Sequence, residues 1–316
     1  MNEVVIGVDV GGTTIAAGLV TPAGEVIDER RIAAEPAARA TLATVESMIE
    51  DLRRRAGGRV VRGIGVGVPG PVDAGRVAAE VPHAPDLANR PLADLLRARF
   101  ALPAYVDNDV NALALGEWRF GAGRGVRSLV VLAAGTGFGC GIILEGRLVR
   151  GVNGYGGEFG HTPVKFDGPR CWCGGRGCLA IYASGRGIAE AARARVAADP
   201  AAPLVAAAGQ VEAITTALVF RLAAAGDATA AAVVDEACRA LGAMIATMVN
   251  GLNPEAIVVT GGVAESLVAL DKRILTAAAE YAFPRALGAA RITIAPADKR
   301  TTMRGAAALV DYEMGR

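Results

Sequence analysis

Residues 4–27 read VVIGVDVGGTTIAAGLVTPAGEVI: an apolar strand, a glycine-threonine turn, a second strand containing one glycine, and a short third strand after another glycine turn. Residues 129–149, LVVLAAGTGFGCGIILEGRLV, follow the same plan. The turn glycine and the strand glycine are six positions apart in both, Gly12 to Gly18 and Gly135 to Gly141. Chance likeness between two glycine-rich hairpins is one reading. A duplicated pair of α/β halves facing each other across a cleft is the other.

The surroundings of the two repeats support an α/β class. Apolar, β-branched segments at Val4–Val8, Ile15–Val20, Val60–Gly67, Ala104–Val106, Ser128–Ala133, Gly139–Leu144, Ala256–Thr260 and Ile292–Ala295 read as strands. Alanine-rich segments near 39–56, 91–100, 110–120, 180–197, 204–223, 227–251, 264–281 and 301–314 read as helices. The long segment 227–251 is rich in small residues, which predicts close packing against its neighbours. The expected division is a first domain over 1–117, completed by the C-terminal segment 301–316, and a second over 118–300.

Composition narrows the function. In 316 residues, 33 Lys and Arg nearly balance 32 Asp and Glu, so no charge excess suggests a nucleic-acid partner. The densest basic run, DLRRRAGGRVVR at 51–62, reads as the solvated end of a helix. MNEVVIGVDVGG carries no leader pattern, and no apolar run has the length of a membrane span. A cytoplasmic protein without membrane or nucleic-acid partners is expected. Five cysteines, an odd number, then argue for reduced thiols rather than disulfides.

Three glycine turns follow strands. In GVDVGGTT, Asp9, Gly11, Gly12, Thr13 and Thr14 offer backbone and hydroxyl donors to phosphate oxygens, and a carboxylate to the metal of a nucleotide. A plain hairpin turn is the competing reading, since the stretch lacks a P-loop lysine. GTGFG, with Gly135, Thr136, Gly137 and Gly139, repeats the chemistry, and Gly261 and Gly262 in VVTGGV suit the floor of an adenosine site. In YVDNDVNALALGE, Asp107, Asn108 and Asp109 stand between a strand and a helix, where open α/β sheets carry ligand groups. Asp109 is open to two readings: N-cap of helix 110–120, or general base toward a hydroxyl.

The densest cluster lies in GGEFGH followed by CWCGGRGC. His161, Cys171, Cys173 and Cys178 supply one imidazole and three thiolates within eighteen residues, the donor set of a tetrahedral structural zinc. Cys140 and Cys238 read as buried apolar residues, and His83 as a loop residue.

Taken in order, DVGGTT, GVGVPGPVD at 65–73, DNDVNALALGE at 107–117, GTGFG, GEFGH, CWCGGRGC and GGV resemble the ROK family of sugar kinases and sugar-responsive repressors, over essentially the whole chain. The resemblance implies an actin-like fold, a duplicated ribonuclease H-like pair of domains around a cleft, and ATP-dependent phosphorylation of a hexose or hexose-like acceptor, usually at the 6-hydroxyl. It implies Asp109 as the base, and Gly70, Asn108, Glu158 and His161 as sugar contacts. It also implies that Gly7 to Thr14 and Gly135 to Ile142 bind the phosphates of ATP with Mg²⁺, and that the protein is a homodimer or homotetramer. Three positions depart from the family pattern: Thr14 where Lys is usual, Asp86 where Asn is common, and Ala180 where a sugar-contacting Glu is usual. The last leaves the acceptor open among glucose, an amino sugar and a cyclitol. A regulator or sensor of the same family is the alternative. Family regulators carry a winged-helix segment ahead of the first glycine turn, and here that turn begins at residue 9, so catalysis is the expectation.

Overall fold

The computed structural model describes residues 2–35, 39–79, 81, 83–298 and 300–315. Its strands are β1 (Glu3–Val10), β2 (Thr14–Val20), β3 (Val26–Ala33), β4 (Val60–Val68), β5 (Val72–Asp73), β6 (Arg76–Val77), β7 (Ala104–Asn108), β8 (Leu129–Ala134), β9 (Phe138–Leu144), β10 (Arg147–Leu148), β11 (Ala256–Thr260) and β12 (Arg291–Ile294). One five-stranded sheet has the order β3-β2-β1-β4-β7 and the other β10-β9-β8-β11-β12. The two orders are the same list read from the two repeats. In the first sheet β1 pairs antiparallel with β2 and parallel with β4; in the second β8 pairs parallel with β11. The quoted repeat is therefore a repeated antiparallel meander extended by parallel strands.

Two compact units result. The first comprises Met1–Arg127, Gly141–Gly157 and Asp298–Arg316, and the second Ser128–Cys140 and Glu158–Ala297. In the first unit, one sheet face packs Ile6, Leu19 and Ile64 against Val45, Ile49 and Leu52 of helix Thr41–Arg55 and Leu92 and Leu96 of helix Leu92–Phe100, all essentially inaccessible to water.

The opposite face is built differently. Gly18, Gly7 and Gly65 are register partners on β2, β1 and β4, forming a row without side chains. Helix Thr301–Met314 lies along that row: a Cβ on Gly7 would stand 2.1 Å from Met303 O, and one on Gly65 1.7 Å from Ala306 O. The same helix meets helix Asp109–Phe120 through Gly305, where a Cβ would fall 1.7 Å from Ala112 O, and Gly116, 2.3 Å from Thr301 O. These are backbone-to-backbone contacts that no side chain could replace.

In the second unit, helix Ala228–Leu252 runs for 25 residues. It is capped by Asp227, which accepts the Ala230 N–H at 2.7 Å, and meets helix Asp271–Ala279 at Gly242. The close packing expected of its small residues is thus present.

Several sequence expectations need correction. Segment 180–197 is two helices, Ala180–Ala183 and Gly185–Val196, because Ser184 turns extended (ψ 160°) and caps the second by accepting the Gly187 N–H. Segment 204–223 divides into Pro203–Ala208, a 3₁₀ turn at Val211–Ala213 and Thr216–Ala224, the first ending at Gly209 with φ +83°. Segment 264–281 breaks at a 3₁₀ turn, Val268–Leu270. β3 runs to Ala33 through the charged DERR, as an edge strand of the sheet can. Among the described residues no single helix is long and apolar enough to cross a membrane.

Two glycine substitutions separate packing from propensity. Gly65→Ala is expected to lower stability by more than ~2 kcal/mol, because backbone must move to admit the methyl group. Gly288→Ala, in helix Pro284–Ala289 with open space around its Cα, is expected to raise it by up to ~1 kcal/mol. Thermal and urea unfolding of both variants check the opposite signs.

Candidate functional site

Two constellations lie in the first unit. β1 delivers Asp9 to its C-terminal end, and the turn to β2 closes with Gly11 N–H donating to Thr14 O at 3.0 Å. Gly12 and Thr13 are exposed at the tip, with Thr13 O accepting the Ala34 N–H at 3.0 Å. His83 is an exposed loop residue as read, and its ring stands against this turn, 3.2 Å from where a Gly12 Cβ would be. Gly7, expected in the phosphate turn, instead sits mid-strand under helix Thr301–Met314; its missing side chain serves packing. Asp9 is half-buried, and enclosure by protein pushes its pKa from 3.8 to about 6, with Arg31 opposing.

The second constellation is the end of β7. Asn108 is the N-cap of helix Asp109–Phe120: its Oδ1 accepts the N–H groups of Val110 (2.8 Å) and Asn111 (3.2 Å). Its Nδ2 donates to Gly70 O at 3.1 Å, where Gly70 takes φ +97°. Asn108 and Gly70 are thus brought together as expected, and the capping role open to Asp109 belongs to Asn108. Asp109 occupies the first helical position, part-exposed, and its Oδ1 also accepts the Val110 N–H at 2.9 Å. Asp107 is 1% exposed and accepts from Asn108 N, Asn111 Nδ2 and Arg150 Nε.

The second unit carries the rest. His161 Nδ1 and Cys171 Sγ lie 3.6 Å apart, Cys173 Sγ and Cys178 Sγ 3.7 Å, and all four donor atoms fall within 4.8 Å of one another. A tetrahedral metal with ~2.3 Å bonds to sulfur holds its donors roughly 3.8 Å apart, so the cluster fits one. All five cysteines are free thiols. Burial, then the neighbouring thiols, push Cys178 up to about 12, the cost that a cation among the sulfurs removes. The loop folds on itself through Val164 N–H to Gly177 O (2.9 Å) and Cys171 N–H to Gly175 O (2.9 Å). Only glycine serves at 177, with φ +65° and Lys165 O 1.6 Å from a hypothetical Cβ.

Glu158 precedes the 3₁₀ turn Phe159–His161. It reaches solvent, but protein on one side raises its pKa while His161 opposes. Ala180, two residues beyond Cys178, is buried at 1% exposed. Trp172 stands edge-on to His161 (6.5 Å) and lies under the Arg186 guanidinium (4.5 Å).

A cavity of about 440 Å³ lies in this unit, lined in part by Gly135, Thr136, Arg186, Arg193, Thr216 and Gly262. Its walls are stitched together: Gly185 N–H donates to Gly135 O (2.8 Å), Arg186 N–H to Thr136 O (3.1 Å) and Thr216 Oγ1 to Gly185 O (2.6 Å). Gly135, Thr136 and Gly262 are therefore assembled on one cavity, Gly261 approaches Ala134 O beside them, and Gly139 lies within β9. Gly137 borders open space. Arg186, Arg193 and Thr216 escaped the sequence reading, since no strand-and-glycine signal marks them.

With this geometry in view, the pattern of the ROK family matches residues 5–313. The chain belongs to the ROK family. It is 39% identical over 300 residues to a glucokinase of Halalkalibacterium halodurans, covering 92% of this chain and 89% of that one. The crystal structure of a ROK family glucokinase from Streptomyces griseus in complex with glucose and AMPPNP aligns with a TM-score of 0.78 and 34% identity, covering 97% of this chain and 98% of the other. A ROK hexokinase from Thermus thermophilus aligns with a TM-score of 0.84 and 30% identity over 99% of both. The fold is the actin-like two-domain fold of this family's kinases, and the chain is a sugar kinase, a phosphotransferase acting on an alcohol group.

One pH effect follows from Asp9. Its carboxyl is raised in the folded chain, so ionisation costs stability that is absent near pH 4, grows as pH rises through about 6 and reaches at most ~3 kcal/mol above it. Without nucleotide and magnesium, Asp9→Asn is expected to raise the melting temperature at pH 8 and to match the unmodified chain near pH 4. A difference independent of pH contradicts the assignment.

Proposed function

We propose that the chain transfers the γ-phosphoryl group of ATP to a hydroxyl, the 6-hydroxyl, of a hexose or hexose-like acceptor, with Asp109 as general base. The observation that carries this reading is the division of labour at the start of helix Asp109–Phe120. Asn108 caps the helix, and Asp109 opens its first turn part-exposed, one carboxylate oxygen accepting the Val110 N–H at 2.9 Å. An ionised carboxylate there accepts the proton of the attacking hydroxyl as the oxygen–phosphorus bond forms.

The remaining chemistry is positioning and electrostatics. The glycine turns at 11–14 and 135–137 offer backbone N–H groups to phosphate oxygens. The cavity carrying Thr136, Arg186 and Gly262 has the size, the apolar wall and the few polar side chains that suit the rest of the nucleotide. Mg²⁺ bound with the nucleotide supplies neutralisation of phosphate charge, and Asp9 is the carboxylate beside the first turn that would face it. The Streptomyces griseus relative, bound to glucose and AMPPNP, supports a sugar and an adenine nucleotide as the two substrates.

His161, Cys171, Cys173 and Cys178 would hold a structural zinc: all four positions are filled by protein donors, which leaves no open site for chemistry. The metal would fix the loop that begins at His161, with Glu158 and His161 as sugar contacts. Gly70 and Asn108 are proposed as further sugar contacts. Ala180 offers no carboxylate to the anomeric end of the sugar, so discrimination there is weaker than in a site that bonds that hydroxyl. Glucose, an amino sugar and a cyclitol all remain acceptors consistent with this pocket chemistry, and glucose is the one that the related kinases name.

Asp109→Asn keeps size and helix start but removes the proton acceptor, and kcat is expected to fall ~10²–10⁴-fold with the fold retained. A coupled nucleotide-release assay over hexoses, amino sugars and cyclitols measures this and names the acceptor; near-normal turnover by the variant would sink the mechanism. Elemental analysis is expected to find about one zinc per chain. Cys173→Ser, at an exposed position where lost packing is minimal, should lose the metal and lower the melting temperature. A stable, metal-free unmodified protein is the opposing result.

A further inference from the structure

Asp107 is the most deeply buried carboxylate near the start of the helix that carries Asp109, and a buried, unpaired charge is costly. Its oxygens are fully engaged. Oδ1 accepts the Asn108 backbone N–H (2.8 Å) and Asn111 Nδ2 (2.9 Å), and Oδ2 accepts Arg150 Nε (2.6 Å). Arg150, in the segment after β10, donates its Nη2 to Glu313 Oε1 at 2.6 Å, and its guanidinium lies 5.6 Å from the centre of the Tyr312 ring. Burial opposes the charge on Arg150, but Asp107 and Glu313 outweigh it and hold its pKa above the ordinary value. A planar guanidinium serves two carboxylates in fixed directions at once; an ammonium cannot reproduce that fork.

The bonds to Asp107 have one geometric result. Asn108, immediately before Asp109, and Asn111, two residues after it, are tied to the same carboxylate from inside the protein. The first helical turn is thus pinned on both sides of Asp109 while the Asn108 side chain is held by its capping bonds and Gly70 O. A buried ion pair is weak evidence for stability, and fixing one geometry is the better-attested use of such groups.

We propose that Asp107 and Arg150 are positioning residues for phosphoryl transfer, with Arg150 locking the Asp107 carboxylate that aims Asp109 and Asn108. This rests on the reading of Asp109 as the base.

The test is a set of folded, full-length variants: Arg150→Gln, Arg150→Lys, Asp109→Asn and the double variant, with folding checked by circular dichroism. Arg150→Gln is expected to lower kcat roughly 10–100-fold, as small misplacements of a reacting group do, with the nucleotide KM within about three-fold. Arg150→Lys, keeping the charge without the fork, should fall between it and the unmodified chain. In the Asp109→Asn background, the Arg150→Gln loss should shrink to less than ~2-fold, because residues acting as one unit are not additive. Equal fold-losses in both backgrounds, or a kcat within ~2-fold of normal in folded Arg150→Gln, overturn the positioning role alone. Full turnover by Asp109→Asn overturns the base assignment and this role with it. If Arg150→Gln does not fold, or Asp109→Asn turns over too slowly to compare, the kcat-against-KM split in Arg150→Lys decides: a lowered kcat with an unchanged KM supports the role, and a normal kcat overturns it.

Discussion

The backbone of helix Thr301–Met314 meets the first sheet directly at Gly7 and Gly65, and the first unit is organised around that approach. Gly18, Gly7 and Gly65 clear a track across three adjacent strands, and the helix lies along it. Gly305 and Gly116 then pass the contact to helix Asp109–Phe120. The helix bearing the proposed base is therefore located by main-chain surfaces, which have no rotamers to sample. Arg150 and Glu313 add a charged tie between the end of β7 and the same C-terminal helix. Position comes from the glycines and direction from the ion pair.

The second sheet repeats the first but not its chemistry. Its strand order matches that of the first, and its Gly-Thr-Gly turn occupies the corresponding place. The first turn ends a strand carrying a carboxylate, Asp9, held at a raised pKa; Ala133 and Ala134 end the strand before the second. Here the turn is stitched instead to the N-terminus of helix Gly185–Val196, whose Arg186 reaches back over Trp172 of the metal loop. One duplicated scaffold thus supports a charged turn in one unit and, in the other, a cavity wall connected to a metal-binding loop.

What was legible from sequence was whatever is concentrated locally. The meander repeat, the turns after strands, and four soft donors within eighteen residues all declare themselves in short windows, and the structure assembles them as read. What was hidden depends on distance along the chain. Arg150 and Asp107 are 43 residues apart and Arg150 and Glu313 are 163, so no window contains the network. Gly7 looked like part of a phosphate turn because a packing glycine and a ligand-binding glycine are identical until the facing helix is known. The charged length of β3 beyond Ile27 was passed over for a related reason: only an edge position explains how Asp28, Glu29, Arg30 and Arg31 fit a sheet. Asn108 and Asp109 both suit a cap by residue type, and coordinates were needed to say which one caps.

The glycine track also sets the order in which a growing chain becomes complete. The first unit is assembled from three separated stretches, the last of which is Asp298–Arg316, whereas every residue of the second unit precedes that stretch. During synthesis the sheet of the first unit emerges early, yet the helix that covers its bare face is made some two hundred residues after β4 and β7. The usual N-to-C sequence of domain maturation is inverted, with the later-encoded unit free to finish first. Until residues 301–314 leave the ribosome, the glycine row of the first sheet lacks the helix that packs against it.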